Sequence, residues 1–186
     1  MIHIYCGDGK GKSTASIGLC VRATGNNIPV LFAQLLKDDT SGELKVLRSL
    51  STVEILHSDK FFGFTWNMTE DEKKEHAEIF VRMLDKVEAW IDDKSKVIDN
   101  EAKSGDSQVK AMVILDEVIP AIECGLLQED KLIKLLDKYD RSVVEFVLTG
   151  RNPSDSLKEK ADYLSFIQAV KHPYKQGVLC RQGVEY

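Results

Sequence analysis

A doubly wound α/β architecture, a mainly parallel sheet with helices on both faces, is what this sequence predicts. Three observations lead there: short runs that are apolar at nearly every position, helical apolar spacing in the segments between them, and a glycine-rich loop joining the first run to the first helix. Strands without polar alternation belong inside a parallel sheet covered by helices. Their alternation with helices calls for right-handed crossovers.

The elements follow in chain order. Ile2, His3, Ile4 and Tyr5 form the first short strand, and the loop from Cys6 to Thr14 comes directly behind it. Ala15, Ile17, Leu19, Val21 and Ala23 then recur at roughly helical spacing, and Gly25 with Asn26 and Asn27 supplies a stop. Residues 29–35 predict a strand apolar on both faces, and 53–56 a shorter one. Thr69 and Glu72 make a capping-box pair that opens a helix to about residue 91, with Phe80, Met83, Leu84, Val87 and Trp90 on one face. Residues 92–108 are polar and lack apolar periodicity, so they are expected to form a solvated excursion within one domain spanning 1–186. Residues 111–115 and 143–148 predict two buried strands, 126–139 and 154–160 helices, and 163–170 with 178–186 late strands or a hairpin.

Composition bounds the function. In 186 residues, 43% are apolar and 30% charged, which suits one globular domain with a sizeable core. A net charge of −5 disfavours a nucleic-acid partner, because such binding needs clustered Lys and Arg. No apolar run approaches the length of a membrane span. Cys6, Cys20, Cys124 and Cys180 are widely separated, which predicts neither a zinc site nor a Cys-x-x-Cys redox motif. Without a secretory signal pattern, a cytoplasmic setting with reduced thiols is expected.

The chemistry starts at Gly7, Asp8, Gly9, Lys10, Gly11, Lys12, Ser13 and Thr14. Closely spaced glycines let successive backbone N–H groups turn toward one anion, and Gly-Lys-Ser opens a helix whose positive end faces the same anion. Lys12 then neutralises phosphate and the Ser13 hydroxyl holds Mg²⁺. Cys6 stands where a Walker A pattern has its first glycine, a place that tolerates a small side chain. The expected fold is therefore P-loop NTPase-like, of the RecA-like kind. Asp116 and Glu117 close the strand at 111–115, and Arg151 follows the strand at 143–148. Ligands of open parallel sheets bind outside the carboxyl ends of strands, so all three are expected beside the phosphate loop. Phe61, Phe62, Phe64 and Trp66 place four aromatic rings in six residues. They either tuck into the core or meet a flat ligand.

Six segments in sequence carry a more specific likeness: 7–15, Arg22-Ala23 with Gly25, Gly63-Phe64-Thr65-Trp66, Leu115-Asp116-Glu117, Thr149-Gly150-Arg151, and Val170-Lys171-His172 with Gly177-Val178 and the closing Gly183-Val184-Glu185-Tyr186. In these the chain resembles the P-loop class of ATP:corrinoid adenosyltransferases along its whole length. Two departures are the lack of an N-terminal extension ahead of the first strand and an apparent insertion at 92–108. The resemblance implies transfer of the 5′-deoxyadenosyl group of ATP to Co(I) of a corrinoid, with release of triphosphate, in adenosylcobalamin biosynthesis or salvage. It implies that Gly7 to Thr14 wrap the triphosphate, that Lys12 and Arg151 offset its charge, and that Ser13 and Glu117, with Asp116 as second candidate, hold Mg²⁺ or Mn²⁺. By the same likeness Phe64 and Trp66 face the corrin and crowd its lower axial ligand, and Arg22 belongs to the nucleotide-binding set. A homodimer and a flavoprotein reductant such as flavodoxin are implied by the family alone. His172 is expected to be structural, with a contact to corrin or nucleotide as the alternative, and Cys6 a small buried filler, with a perturbed thiol beside the phosphate loop as the alternative. A phosphoryl-transferring P-loop ATPase and a nucleotide-dependent corrinoid carrier are the competing readings.

Overall fold

The structure is a computed structural model that describes residues 1–58, 60, 63, 67–101 and 109–184. Six strands form one sheet: β1 (Ile2–Cys6), β2 (Val30–Gln34), β3 (Val53–His57), β4 (Ala111–Asp116), β5 (Val144–Thr149) and β6 (Tyr163–Phe166). Their order is β3-β2-β4-β5-β1-β6, and every pairing is parallel. Burial explains the sequence pattern. In β4 all six residues are buried, since helices cover both faces.

Successive side chains of each strand feed two cores. Leu31, Ala33, Val113, Leu115, Phe146 and Leu148 pack on the side that holds Phe80, Val87 and Ile91 of α3 (Glu70–Glu101). Val30, Phe32, Met112, Ile114 and Val147 pack with Cys20 and Ala23 of α1 (Lys12–Thr24) and with Leu44 and Leu47 of α2 (Gly42–Leu47). Each fully buried Ile, Leu or Phe stabilises the fold by roughly 1.5–3 kcal/mol. That burial fixes strand register, and register in turn aligns the carboxyl ends of β1, β2, β4 and β5 along one rim.

Shorter helices complete the crossovers: α4 (Val118–Glu123), α5 (Glu129–Lys138) and α6 (Asp155–Lys160). The capping box is formed as expected, with Thr69 N donating to Glu72 Oε2 at 2.7 Å and Glu72 N to Thr69 Oγ1 at 3.3 Å. Among the described residues no helix is long and apolar enough to cross a membrane.

Two expectations need correction. The polar stretch after residue 91 is not a loop throughout, because α3 runs on to Glu101. Residues 92–101 contain neither Gly nor Pro, and the turn is held by neighbours: Tyr139 Oη donates to Asp92 at 2.6 Å, and Lys94 pairs with Glu54 at 2.9 Å. Residues 102–108 lie outside the described residues. Of the late strands or hairpin expected at 163–170 and 178–186, the first strand is present as β6, but among the described residues the hairpin is not. β6 pairs in parallel with β1 after the α6 crossover, and the chain beyond forms a 3-10 turn at Pro173–Gln176 without a further strand among the described residues.

Candidate active site

The phosphate-type loop leaves β1 through Gly7 at φ 108° and enters α1 through Gly11 at φ 122°, conformations that L side chains avoid. Gly7 and Gly9 are also needed for space. A Cβ on Gly7 would lie 2.4 Å from the Ile167 carbonyl oxygen, and one on Gly9 would lie 2.7 Å from it. That closeness comes from the segment after β6, which laces the loop down. Ile167 N donates to Cys6 O at 2.7 Å, Gly9 N to Ile167 O at 2.8 Å, and Ala169 N to Asp8 Oδ1 at 3.0 Å. On the other flank Gly7 N donates to Arg151 O at 2.9 Å.

Lys12 opens α1 and donates to the Gly9 carbonyl at 2.7 Å, so its ammonium sits in the mouth of the loop. Partial burial pulls its pKa below the ordinary value, countered in part by Glu117. Together with Lys10, Ser13, Lys37, Glu43 and Glu117, Lys12 lines a cavity of about 580 Å³, and Val184 reaches it from the C-terminal segment. A triphosphate chain fits the chemistry of that lining: backbone amides, a helix N-terminus and three ammonium groups.

Behind the loop lies a buried polar cluster. Asp116 ends β4 fully buried; its Oδ1 accepts from Thr149 Oγ1 at 2.8 Å, and its Oδ2 accepts from Lys37 Nζ at 2.8 Å. The same ammonium donates to Ser13 Oγ at 3.2 Å. Thr149 Oγ1 in turn accepts from Glu117 N at 2.8 Å, which fixes the turn between β4 and α4. Glu117 takes the left-handed conformation there, φ 60° and ψ 28°, which is costly for a non-glycine residue and points to functional constraint. Burial, then the adjacent Asp116 carboxylate, pushes the Glu117 pKa up. For Lys37, burial works against the charge, but the bonded Asp116 together with Glu117 and Glu43 outweighs it and holds the ammonium above its ordinary pKa.

The donor set suits a hard divalent cation. Mg²⁺ is held by one or two carboxylates, a hydroxyl, waters and substrate phosphates, and Ser13 Oγ and Asp116 Oδ2 converge on one cation position with Glu117 beside them. Gln34 is fully buried in the same cluster, and its Oε1 accepts no hydrogen bond. A buried amide oxygen left so is suited to a donor such as metal-bound water. No group of three or more His, Cys, Asp or Glu stands ready for a metal among the described residues, so nucleotide oxygens would have to complete the shell.

Of the residues expected at the site, Gly7, Asp8, Gly9, Lys10, Gly11, Lys12, Ser13 and Thr14 form the loop and first helical turn, with Asp116, Glu117 and Arg151 on the neighbouring strand ends. Arg22 is elsewhere: it is exposed in the last turn of α1, nine residues beyond Ser13, or about 13 Å along the helix axis. Phe64 and Trp66, like Phe61 and Phe62, lie outside the described residues. His172 Nδ1 accepts from Tyr174 N at 3.3 Å and caps the 3-10 turn, and Cys6 is buried in the core. Lys37, Gln34 and Thr149 acquire their place only through strand neighbours, so local sequence reasoning gave them no role.

Comparison with known proteins bears on this site directly. Likeness to solved structures shows the fold: the chain superposes on EssC (ATPases 2 and 3) of Geobacillus thermodenitrificans with TM-score 0.51 and 15% identity, covering 98% of this chain and 34% of that one. It superposes on EccC (ATPases 2 and 3) of Thermomonospora curvata with TM-score 0.56 and 15% identity, covering 94% and 32%. Sequence relatives are closer. A corrinoid adenosyltransferase of Pseudomonas aeruginosa is 30% identical over 188 residues, covering 100% of this chain and 83% of the relative. One from Sinorhizobium is 29% identical, covering 100% and 80%, and one from Escherichia coli K12 is 27% identical, covering 100% and 85%. The family model for ATP:corrinoid adenosyltransferase BtuR/CobO/CobP matches residues 1–186, the strand, loop and strand-end carboxylates included, and the chain therefore belongs to that family.

Proposed function

We propose that this chain transfers the 5′-deoxyadenosyl group of ATP to the Co(I) centre of a corrinoid. The observation that carries the reading is the whole-length family match on a chain that builds a phosphate cradle at Gly7 to Thr14. In the reaction the electron pair of Co(I) forms the cobalt–carbon bond at C5′, the C5′–O bond breaks, and triphosphate leaves with the bond's electrons. Cobalt goes from Co(I) to Co(III). No proton is removed, so the protein's work is positioning and charge stabilisation.

Each residue then has a task. The loop amides beyond Gly7 and Gly9, whose own N–H groups are bonded to Arg151 O and Ile167 O, bind the triphosphate with Lys12 as negative charge gathers on its departing oxygen, and Arg151 adds a second cation at the rim. Ser13, Asp116 and Glu117 would hold Mg²⁺, which offsets phosphate charge when bound. Phe64 and Trp66 are assigned to the corrin face, where crowding the lower axial ligand makes Co(II) easier to reduce. A flavoprotein such as flavodoxin is the proposed electron source. We assign the protein to the cytoplasm, a setting compatible with its free cysteines. A homodimer is proposed as well, supported by the apolar side chains that Leu164, Phe166, Val170 and Leu179 leave exposed along β6 and the chain after it.

The test is anaerobic incubation with ATP, Mg²⁺ and chemically reduced cobalamin, followed by the visible spectrum and an assay for triphosphate. A light-sensitive alkylcobalamin with equimolar triphosphate is expected, and Lys12→Ala abolishes productive ATP binding. ADP and phosphate as products would instead indicate a phosphoryl-transferring enzyme, and binding of both ligands without transfer a carrier.

A further inference from the structure

Lys37 occupies the position that the donor set offers to a metal. Its ammonium lies 2.8 Å from Asp116 Oδ2 and 3.2 Å from Ser13 Oγ, with Glu43 Oε1 at 3.8 Å. Mg²⁺ sits about 2.0–2.1 Å from its oxygens. A metal bound to both Ser13 and Asp116 would therefore stand against the ammonium, two like charges in contact at a half-buried site. The two cations exclude each other.

The chain around Lys37 is held so that only its side chain has freedom. Residue 36 leaves β2 with φ 51°, a left-handed conformation that a bulky Leu adopts only under constraint. The Lys37 carbonyl accepts from His57 Nε2 at 2.9 Å, and Leu35 N donates to Asp116 O at 3.0 Å. Backbone and partner strand are thus pinned, while the side chain, 29% exposed, borders the cavity that the phosphate loop opens into. Four methylenes let the ammonium swing from Asp116 into that cavity without any backbone change. Close by, the buried Gln34 Oε1 without a donor marks the cluster as built for one more polar occupant.

We propose that Lys37 is a displaceable internal cation that holds the Ser13–Asp116 seat in the nucleotide-free protein and yields it to a divalent metal when triphosphate enters. Metal and nucleotide are then coupled: the bare protein disfavours free Mg²⁺, and the polyanion supplies the ammonium with a new partner as the metal takes its place. The idea rests on the nucleotide reading of the site but needs no corrinoid.

The experiment measures Mn²⁺ binding to the full chain by water-proton relaxation, with and without ATP, in the wild type, Lys37→Met and Lys37→Gln. Wild type is expected to bind Mn²⁺ weakly alone and more tightly with ATP. In the variants, affinity for Mn²⁺ alone should rise about tenfold or more, and the gain conferred by ATP should shrink by the same factor, since Lys37 has already left the seat in the ATP complex and its loss changes only the nucleotide-free affinity. Unchanged or weaker Mn²⁺ binding in variants whose circular dichroism matches wild type overturns the proposal. Should neither variant fold, the wild type decides: Mn²⁺ binding that is equally tight with and without ATP overturns it too. Because no corrin is present, this result is independent of whether adenosyl transfer is found.

Discussion

Glu117 allows the reasoning about the strand-end turn to be tested by the sign of one comparison. The residue is held at φ 60° and ψ 28° as the N-cap of α4. An L side chain in the left-handed region costs about 1–2 kcal/mol, which glycine avoids. Glycine loses about 0.4–1 kcal/mol through the greater freedom of its unfolded chain, and it is the better N-cap of the two. Glu117→Gly should therefore be more stable than Glu117→Ala by about 1 kcal/mol, the reverse of the order at a helical or extended position. For a domain of this size that is about 2–4 °C in Tm by scanning calorimetry. Both variants lose the same carboxyl, so its chemistry cancels in the comparison. An alanine variant that melts at or above the glycine variant would refute the turn as described. Against wild type a pH signature is also expected. Glu117 has its pKa raised by burial and then by Asp116, so its favourable contribution is complete below the ordinary 4.5 and is lost as pH rises through the folded value. The variants should gain on wild type as the pH climbs from 4.5 to the raised folded value, and the difference should level off above it.

Two further outcomes concern the walls of the site. Gly9→Ala puts a methyl group 2.7 Å from a backbone oxygen and 2.8 Å from the Gln168 carbonyl carbon, which cannot turn aside. It should cost about 1–3 kcal/mol in a urea titration and weaken ATP binding as the loop is forced off the segment after β6. Thr149→Val keeps the shape but removes both the donor to Asp116 Oδ1 and the acceptor for Glu117 N. A loss of about 1–3 kcal/mol is expected, with Thr149→Ser retaining most of the stability.

The parts legible from sequence were those that local periodicity encodes. Strands buried on both faces show as unbroken apolar runs, and the glycine spacing between β1 and α1 marks the loop, whereas the close approach of Gly7 and Gly9 to the Ile167 backbone is set by a segment far along the chain. Lys37 was not legible because its contact with Asp116 spans 79 residues. It exists because β2 lies beside β4 with Gln34 opposite Asp116, a register set by core packing. The length of α3 was hidden for a related reason: its apolar face ends near Ile91, and what carries the helix further is Tyr139 and Glu54 on other elements. Arg22 shows the converse, a residue singled out by likeness that the helix carries away from the loop.

The lacing of the phosphate loop by the segment after β6 has a consequence for biosynthesis. Asp8 and Ala169 are 161 residues apart, so at roughly 5–20 residues per second the ribosome delivers the fastening about 8–30 s after the loop it fastens. Until then Gly9 has no carbonyl to meet and Lys12 stands in an unfinished turn. The laced form of the loop thus arrives only after β6 has been made, and a truncated product ending before β6 is left with the motif but without the clasp.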